Sequence, residues 1–128
     1  MVFTDKALRK FLSDFYMRLA LPRILQDIKY MGEELADNSA IATSIDRQKR
    51  RASLNLLWPG KNFAENLNMH LELLAKQDIG DIRFSSELES PEEAILTPVL
   101  LAAGFTPSMV LPWGGRKGDI AIFRHEGK

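Results

Sequence analysis

The sequence predicts an α+β or α/β fold in which a helical N-terminal two-thirds packs on a small C-terminal β-sheet. Three observations predict this class. Apolar residues recur every three or four positions through most of the first part of the chain, which is the period of an amphipathic helix. Strand-like alternation is confined to the last third. The length of 128 residues suits one domain, with a helical part at about 4–76 and a mixed α/β part at about 79–128.

The N-terminal half contains three apolar stripes, each of which we interpret as a helix. The first covers about 5–21, with Thr4 or Asp5 as its N-cap. The second covers about 22–36, and Pro22 either ends the first helix or occupies the first position of the second. The third, at 41–57, is less regular and leaves its basic residues exposed on the opposite face.

Capping signals place the later helices. Asn62, followed three positions later by Glu65, predicts the start of a helix that ends near residue 76. The run Ser90-Pro91-Glu92-Glu93 is the clearest helix start, because serine caps, proline fits the first turn and Glu93 completes a capping box. Pro98 either kinks this helix or begins a second short one.

Three short strands are predicted from alternating apolar residues. Ile82 and Phe84 alternate with polar neighbours and indicate a strand within 79–88. Two more strands are expected at about 108–113 and 119–124, with a glycine-rich loop between them that makes a hairpin. The β-sheet of the predicted fold is therefore built from the C-terminal third of the chain.

Composition excludes several function classes. The 17 basic and 17 acidic residues balance, so the chain lacks the basic bias of a dedicated nucleic-acid binder. The absence of cysteine excludes a disulfide scaffold, a thiolate zinc site and a cysteine nucleophile. No secretory hydrophobic region and no run of roughly 18 apolar residues occurs. We therefore expect a cytoplasmic protein with no membrane partner.

Two groups of basic residues are candidates for contacts with nucleic acid. They are Arg47, Lys49, Arg50 and Arg51 in the middle of the chain, and Arg116 and Lys117 near its end. Such clusters neutralise phosphates and give salt-dependent binding to DNA or RNA. The alternative for the first group is a solvated helix face, since no aromatic residue is interleaved to stack on bases. The loop around the second group is either a phosphate cradle or a plain hairpin turn.

The run PEEAILTPVLLAAGFTPSMVLPWGGRKGDIAIFRHEGK, residues 91–128, resembles the front part of the nuclease domain of type I restriction enzymes and other PD-(D/E)XK nucleases. The likeness lies in a helix that ends in AAGF, a strand, an arginine-containing turn and an aspartate, Asp119, that opens an apolar strand. The final residues Glu126-Gly127-Lys128 spell the Glu-x-Lys pair of that family, but only seven positions after Asp119. The resemblance therefore implies an incomplete or fragmentary nuclease core.

The resemblance also implies roles for individual residues. Asp119, with Glu92 or Glu93 from the preceding helix, would bind Mg²⁺, which polarises the phosphodiester and helps to generate hydroxide. Lys128 would stabilise charge or position the attacking water, so Asp119, Glu93 and Lys128 are the candidate catalytic residues. Under this hypothesis the protein hydrolyses phosphodiester bonds with magnesium, and DNA is its partner.

A non-enzymatic function is the alternative hypothesis. The chain would then be a helical adaptor, chaperone or inhibitor that binds another protein, or a second copy of itself, through an amphipathic face. The sequence supports this by the absence of a complete catalytic constellation and by a net charge of zero. Candidate anchors are Trp58, Trp113 and Phe63, since tryptophan is frequent among residues that dominate interface energies.

Overall fold

The computed structural model of the protein describes residues 2–21, 23, 25–27, 37–114 and 118–126. In chain order its elements are β1 (Val2–Thr4), α1 (Lys6–Arg18), β2 (Leu25–Asp27), β3 (Ala40–Asp46), β4 (Arg51–Trp58), α2 (Phe63–Lys76), β5 (Asp81–Glu87), α3 (Pro91–Ala94), α4 (Thr97–Ala102), β6 (Thr106–Leu111) and β7 (Ile120–Glu126). About 33% of the described residues are helical and 37% lie in strands.

The centre of the fold is a five-stranded mixed sheet with the strand order β3-β4-β5-β7-β6. Strands β4 and β5 run parallel and are connected through α2, whereas the other neighbouring pairs are antiparallel. Strands β1 and β2 form a separate parallel pair. The prediction of a helical N-terminal two-thirds on a small C-terminal sheet is therefore wrong, because residues 40–58 supply two strands of this sheet.

The error lies in the segment 41–57, which we interpreted as a helix and which belongs to the β3–β4 hairpin. Its apolar residues face each other across the hairpin, as Ile45 and Ala52 do. Strand β3 is also rich in β-branched residues, which favour a pleated strand. The side chain of Asp46 organises the turn, because it accepts a hydrogen bond from the backbone N–H of Lys49 at 3.2 Å. Apolar residues four positions apart lie on one face of a helix and also on one face of a strand. In this segment they lie on strands.

The second predicted helix, at 22–36, is wrong at its start. Residues 25–27 form β2, which pairs in parallel with β1. Residues 28–36 of this prediction lie outside the described residues. Helix α1 also ends earlier than expected, since Ala20 takes a φ of +55°, which a continuing helix does not allow.

The remaining predicted elements are confirmed to within a few residues. Helix α1 begins after Asp5, whose side chain accepts a hydrogen bond from the backbone N–H of Ala7 at 3.0 Å. Helix α2 and strands β5, β6 and β7 lie close to the predicted ranges. Pro98 stands in the first turn of the separate helix α4, so two short helices replace the kinked one. Gly104 then takes a φ of +101°, which favours glycine and turns the chain from α4 towards β6.

Aromatic residues hold two helical segments against one face of the sheet. Phe84 of β5 contacts Phe63 of α2 edge to face, with ring centroids 5.7 Å apart, and contacts Phe105 after α4 in the same way at 6.2 Å. All three rings are buried. Such pairs contribute about 1 kcal/mol each beyond their burial. The opposite face carries polar side chains that are exposed or half-buried, among them Asn55 and Ser85.

None of the helices in the described part of the chain is long and apolar enough to cross a membrane. The cytoplasmic location expected from the sequence stays a prediction.

Candidate cleft at the ends of two parallel strands

The parallel strands β4 and β5 stop pairing before they end. Their ladder ends at Asn55 and Ser85. Strand β4 continues to Trp58 and β5 continues to Glu87, with no further pairing between these two strands. Because backbone N–H and C=O groups alternate in direction along a strand, at least one residue of 56–58 presents them to the gap. The sheet therefore opens a cleft at the carboxyl ends of β4 and β5.

A cavity of about 280 Å³ lies in this cleft. Its walls combine carboxylate, hydroxyl and amide groups with two branched apolar side chains. The lining residues are Asn55, Leu56, Ser85, Glu87, Glu93, Gly114 and Ile120. A concave surface with a few convergent polar groups is typical of small-molecule sites.

Two glutamates meet at this cleft. The Oε1 atom of Glu93 accepts a hydrogen bond from the backbone N–H of Glu87 at 3.2 Å. The backbone N–H of Glu93 donates to Oγ of Ser90 at 3.4 Å, as at a serine N-cap. The serine and glutamate that predicted a capping box thus begin α3 and also tie it to the end of β5. The helix start fixes a carboxylate beside the cleft.

The turn between β4 and α2, at residues 59–62, follows directly from the open end of β4. The side chain of Asn62 makes no capping bond to α2. Its Oδ1 atom accepts hydrogen bonds from the backbone N–H and from Oγ of Ser39, at 2.7 and 3.0 Å. The residues that precede β3 are therefore held against the start of α2.

Asp119, the metal ligand expected from the nuclease resemblance, lies in a buried network. It is 1% exposed. Its carboxylate accepts hydrogen bonds from the Tyr16 hydroxyl at 2.5 Å and from the Trp113 backbone N–H at 3.0 Å, and it pairs with Arg23 at 2.7 Å. Burial by itself raises the pKa of Asp119, but the hydrogen bonds from Arg23, Tyr16 and Trp113 outweigh it and hold this pKa below its ordinary value.

The same network changes the ionisation of Tyr16. Burial, and next the hydrogen bond to Asp119, raise the pKa of the Tyr16 hydroxyl well above its usual range. The guanidinium of Arg23 lies over the rings of Tyr16 and Trp113, at 5.6 and 5.1 Å from their centroids. The network joins α1 to the loop before β7, and it gives Asp119 a structural role.

The rest of the predicted metal and catalytic set is largely outside the described structure. Glu92 lies within α3, but its side chain is not among the described ones, and Arg116, Lys117 and Lys128 lie outside the described residues. Within the described ranges, no group of three or more His, Asp or Glu side chains could hold a metal ion. Magnesium binding stays a prediction, and the fold removes the resemblance that motivated it.

The first basic group lies in the β3–β4 turn and at the start of β4, and not on a helix face. Its arginines engage polar groups at and beyond the end of α2. The partners are Gln77 for Arg47 at 2.9 Å, Asp78 for Arg50, and Asp81 for Arg51 at 2.9 Å. These contacts fasten the hairpin to the segment that follows α2. Lys49 takes part in the turn through its backbone N–H.

Sequence reasoning missed the cleft residues Asn55, Ser85 and Glu87. A signal for them was present, because a strand, a short turn, a helix and a second strand predict a parallel pair. Interpreting 41–57 as a helix removed the first strand of this unit and so concealed it.

No protein-family model and no curated protein matches the sequence. The structure is similar to the N-terminal domain of a ribosomal-protein-alanine acetyltransferase from Clostridium acetobutylicum, with a TM-score of 0.53 and 19% identity, over 69% of this chain and 72% of that one. An acetyltransferase from Bacillus cereus aligns with a TM-score of 0.41 and 8% identity, over 94% of this chain and 92% of its own.

The first of these similarities shows an acetyltransferase-like, GNAT-type α/β fold. The resemblance of 91–128 to PD-(D/E)XK nucleases is therefore wrong. Those residues form α3, α4, β6 and β7 of the mixed sheet. A helix, a small-residue turn and an apolar strand recur in many α/β folds, and the pattern was too short to separate them. Magnesium-dependent nuclease activity, and the DNA binding that went with it, are wrong with it.

The helical adaptor hypothesis also loses its basis. That hypothesis needed a helical N-terminal part with an exposed apolar face, and strands occupy much of the N-terminal part. Of its candidate anchors, Phe63 is buried in the core, whereas Trp58 and Trp113 are exposed. Binding to a protein partner or to a second copy stays a prediction without a defined surface.

Proposed function

We propose that this protein is an enzyme that transfers an acyl group from a thioester to an amine. The observation that carries the proposal is the cleft where β4 and β5 stop pairing beyond Asn55 and Ser85. Open sheets with parallel strands bind ligands outside the carboxyl ends of those strands. The acetyltransferase-like fold supports acyl transfer as the chemistry of this cleft.

The open edge of β4 suits the arm of an acyl thioester. Beyond Asn55, β4 has no pairing partner on the β5 side among the described residues, so at least one residue of 56–58 presents its backbone groups to an extended ligand. A pantetheine arm is extended and carries two amides, so it can add to this edge as a short strand does. Leu56 lines the cavity and gives the arm an apolar contact. The thioester carbon would then lie within the cleft.

The carboxylates at the cleft suit the amine. An ammonium group must lose a proton before its nitrogen can attack the thioester carbon. Glu93, held by the N–H of Glu87, is the residue that we assign to accept this proton. The nitrogen then forms the C–N bond, the C–S bond breaks, and the leaving thiolate takes up a proton. Backbone N–H groups of residues 56–58 are the candidates to stabilise the negative charge on the carbonyl oxygen.

The experiment that tests the proposal follows the release of thiol. Acetyl-CoA or S-acetylpantetheine is mixed with the protein and with primary amines of varied size, and free thiol is measured with a chromogenic disulfide. The protein contains no cysteine, so every thiol detected comes from the donor. We expect amine-dependent thiol release and a matching acylated amine by mass spectrometry. Absence of both with every donor and amine would contradict the proposal.

Two variants connect the activity to the cleft. Ser85→Leu places a bulky side chain in the cavity, and we expect it to reduce transfer at least 50-fold. Ser53→Leu is the matched control, because Ser53 lies on the same sheet face, two positions before Asn55, and does not line the cavity. Glu93→Gln keeps an acceptor for the N–H of Glu87 and removes the base. We expect it to lower kcat about 100-fold with little change in KM for the thioester.

A further inference from the structure

The turn at residues 59–62 is the natural place for the phosphates of a nucleotide-bearing donor. It connects the open strand β4 to α2, and the N-terminus of a helix at such a position binds phosphate through free backbone N–H groups and the helix dipole. In this protein, the turn is filled by the chain itself. The filling residues are Asp37, Asn38 and Ser39, which we call the 37–39 segment.

Side chains of α2 hold the 37–39 segment in place. Asn62 accepts two hydrogen bonds from Ser39, at 2.7 and 3.0 Å. The Nδ2 atom of Asn62 donates to the Asn38 side chain at 3.3 Å. One turn further on, Nδ2 of Asn66 donates to the backbone carbonyl and to Oγ of Ser39, at 3.1 and 3.0 Å. The polar side chains at this end of the helix are therefore occupied within the protein.

Backbone groups of the turn are occupied as well. The N–H of Asn62 donates to the carbonyl of Asp37 at 3.3 Å, and the N–H of Phe63 donates to the carbonyl of Gly60 at 3.2 Å. Gly60 is buried, and a Cβ atom added there would lie 2.3 Å from the backbone of Asn38. Glycine is required because the 37–39 segment passes so close. A phosphate group that used the N–H of Asn62 or approached Gly60 would have to displace this segment.

Charge at the turn also opposes a phosphate. Glu65 lies in the first turn of α2, and Asp37 lies in the segment against it. Lys61 is the cation of the turn itself. With two carboxylates and one ammonium group, the described residues around this helix start carry a net negative charge. The helix dipole already interacts favourably with Glu65.

We infer that the acyl donor of this protein is a pantetheine thioester held by its arm alone, and that the 37–39 segment excludes a nucleotide diphosphate from the start of α2. The inference rests on the proposed acyl transfer and names its donor. The arm still binds along the open edge of β4, and the part of the donor beyond the arm lies outside the protein. The nucleotide of a coenzyme A thioester then contributes little to binding.

Three probes test the inference by titration against the labelled protein in NMR. They are acetyl-CoA, S-acetylpantetheine and adenosine 3′-phosphate 5′-diphosphate, the nucleotide part of coenzyme A on its own. We expect the two thioesters to bind with Kd values within about threefold of each other and to shift the amides of residues 55–58. We expect the nucleotide to leave the amides of Ala64 and Glu65 unchanged.

The outcomes separate the inference from the proposed function. A preference of more than 30-fold for acetyl-CoA, with shifts at Ala64 and Glu65, would overturn the inference and leave acyl transfer intact. Binding of neither thioester would overturn both. Equal binding with shifts confined to 55–58 supports both.

A variant that weakens the hold on the 37–39 segment gives a sharper test. Asn62→Ala removes the acceptor of Ser39 without removing a helix cap, since Asn62 makes no capping bond. We expect the affinity for acetyl-CoA to rise at least tenfold relative to S-acetylpantetheine. Asn68→Ala on the same helix is the matched control, because Asn68 is exposed and lies outside these contacts, and the ratio should not change. An unchanged ratio in folded Asn62→Ala would contradict the exclusion by the segment.

Discussion

Two aspartates of this protein each bind arginine, but they do so in different surroundings. Asp119 is 1% exposed, and its partners among the described residues are an arginine, a hydroxyl and a backbone N–H. Asp81 lies on the open face of the sheet, with a side chain that is 22% exposed. Its three arginine partners are Arg51, Arg83 and Arg124, at 2.9, 3.5 and 3.7 Å.

From these two sites we expect the exposure of an ion pair to affect stability more than the number of charged partners does. Burial by itself raises the pKa of Asp81, but the hydrogen bond from Arg51 and the charges of Arg83 and Arg124 outweigh it, so the pKa is lowered as it is at Asp119. Water and salt screen the arginines around Asp81, which are about a third exposed or more. Around the buried Asp119 such screening is weak, so each partner should contribute more to the free energy of unfolding than a partner of Asp81 does.

The largest effect is expected from Asp119→Asn. The change removes the negative charge of Asp119 from beside the guanidinium of Arg23 in a mostly buried place, which lowers the free energy of unfolding by about 3 kcal/mol. Urea unfolding followed by circular dichroism measures it. A loss below about 1 kcal/mol would mean that solvent screens this pair as it screens the pairs of Asp81.

Tyr16→Phe should have the next largest effect. It removes the hydroxyl that donates to Asp119 and leaves Arg23 and the N–H of Trp113 in place. A hydrogen bond to a charged group is worth about 1.5 kcal/mol, so we expect a loss of that size in the same urea experiment. Phe15→Leu is the control, because Phe15 lies on the same helix and is half-buried. A neutral Tyr16→Phe would show that the hydroxyl contributes nothing to this network.

Asp81→Asn should cost less, despite the three arginines. We expect a loss of about 0.5 kcal/mol at low salt, because the partners are partly exposed and screened. In 1 M NaCl the difference from the wild type should disappear, whereas that of Asp119→Asn should remain. If salt removes both differences, or neither, the contrast between the two aspartates is wrong.

The smallest signal is expected in the pH dependence of stability. The pKa of Asp119 is lower in the folded than in the unfolded protein, so the unfolded state binds more protons as the pH falls. The stabilisation is present above the unfolded pKa and is lost as the pH falls through the folded pKa. Between pH 5 and pH 2, Asp119→Asn should therefore lose stability less steeply than the wild type. Equal slopes in urea titrations would contradict the lowered pKa.

Tyr16 affects the pH dependence of stability at alkaline pH. Its pKa is raised on folding, so its contribution is complete below the unfolded pKa near 10 and is lost as the pH rises beyond it. The wild type should lose stability above pH 10 more steeply than Tyr16→Phe. Thermal unfolding between pH 9 and pH 11 measures this difference, and parallel curves would contradict it.

Local signals in the sequence predicted the elements whose ends are marked by capping residues. Asp5 begins α1, Ser90 begins the segment that leads to α3, and Pro98 separates α4 from it. These residues act on neighbours a few positions away, so a sequence pattern is enough to find them. The hairpin of β3 and β4 was missed because its spacings also fit a helix, and the nuclease resemblance failed because short motifs recur in unrelated folds.

Sequence patterns predicted the starts of α1, α2 and α3 and the approximate ranges of strands β5, β6 and β7, and they exclude cysteine chemistry. The cleft and the role of Asp119 arise from contacts between distant parts of the chain. The cleft depends on two strands that pair across about thirty positions of sequence and then separate, and the partners of Asp119 lie 96 and 103 positions away. Such contacts depend on the packing of the whole sheet, and the pattern of neighbouring residues does not encode them.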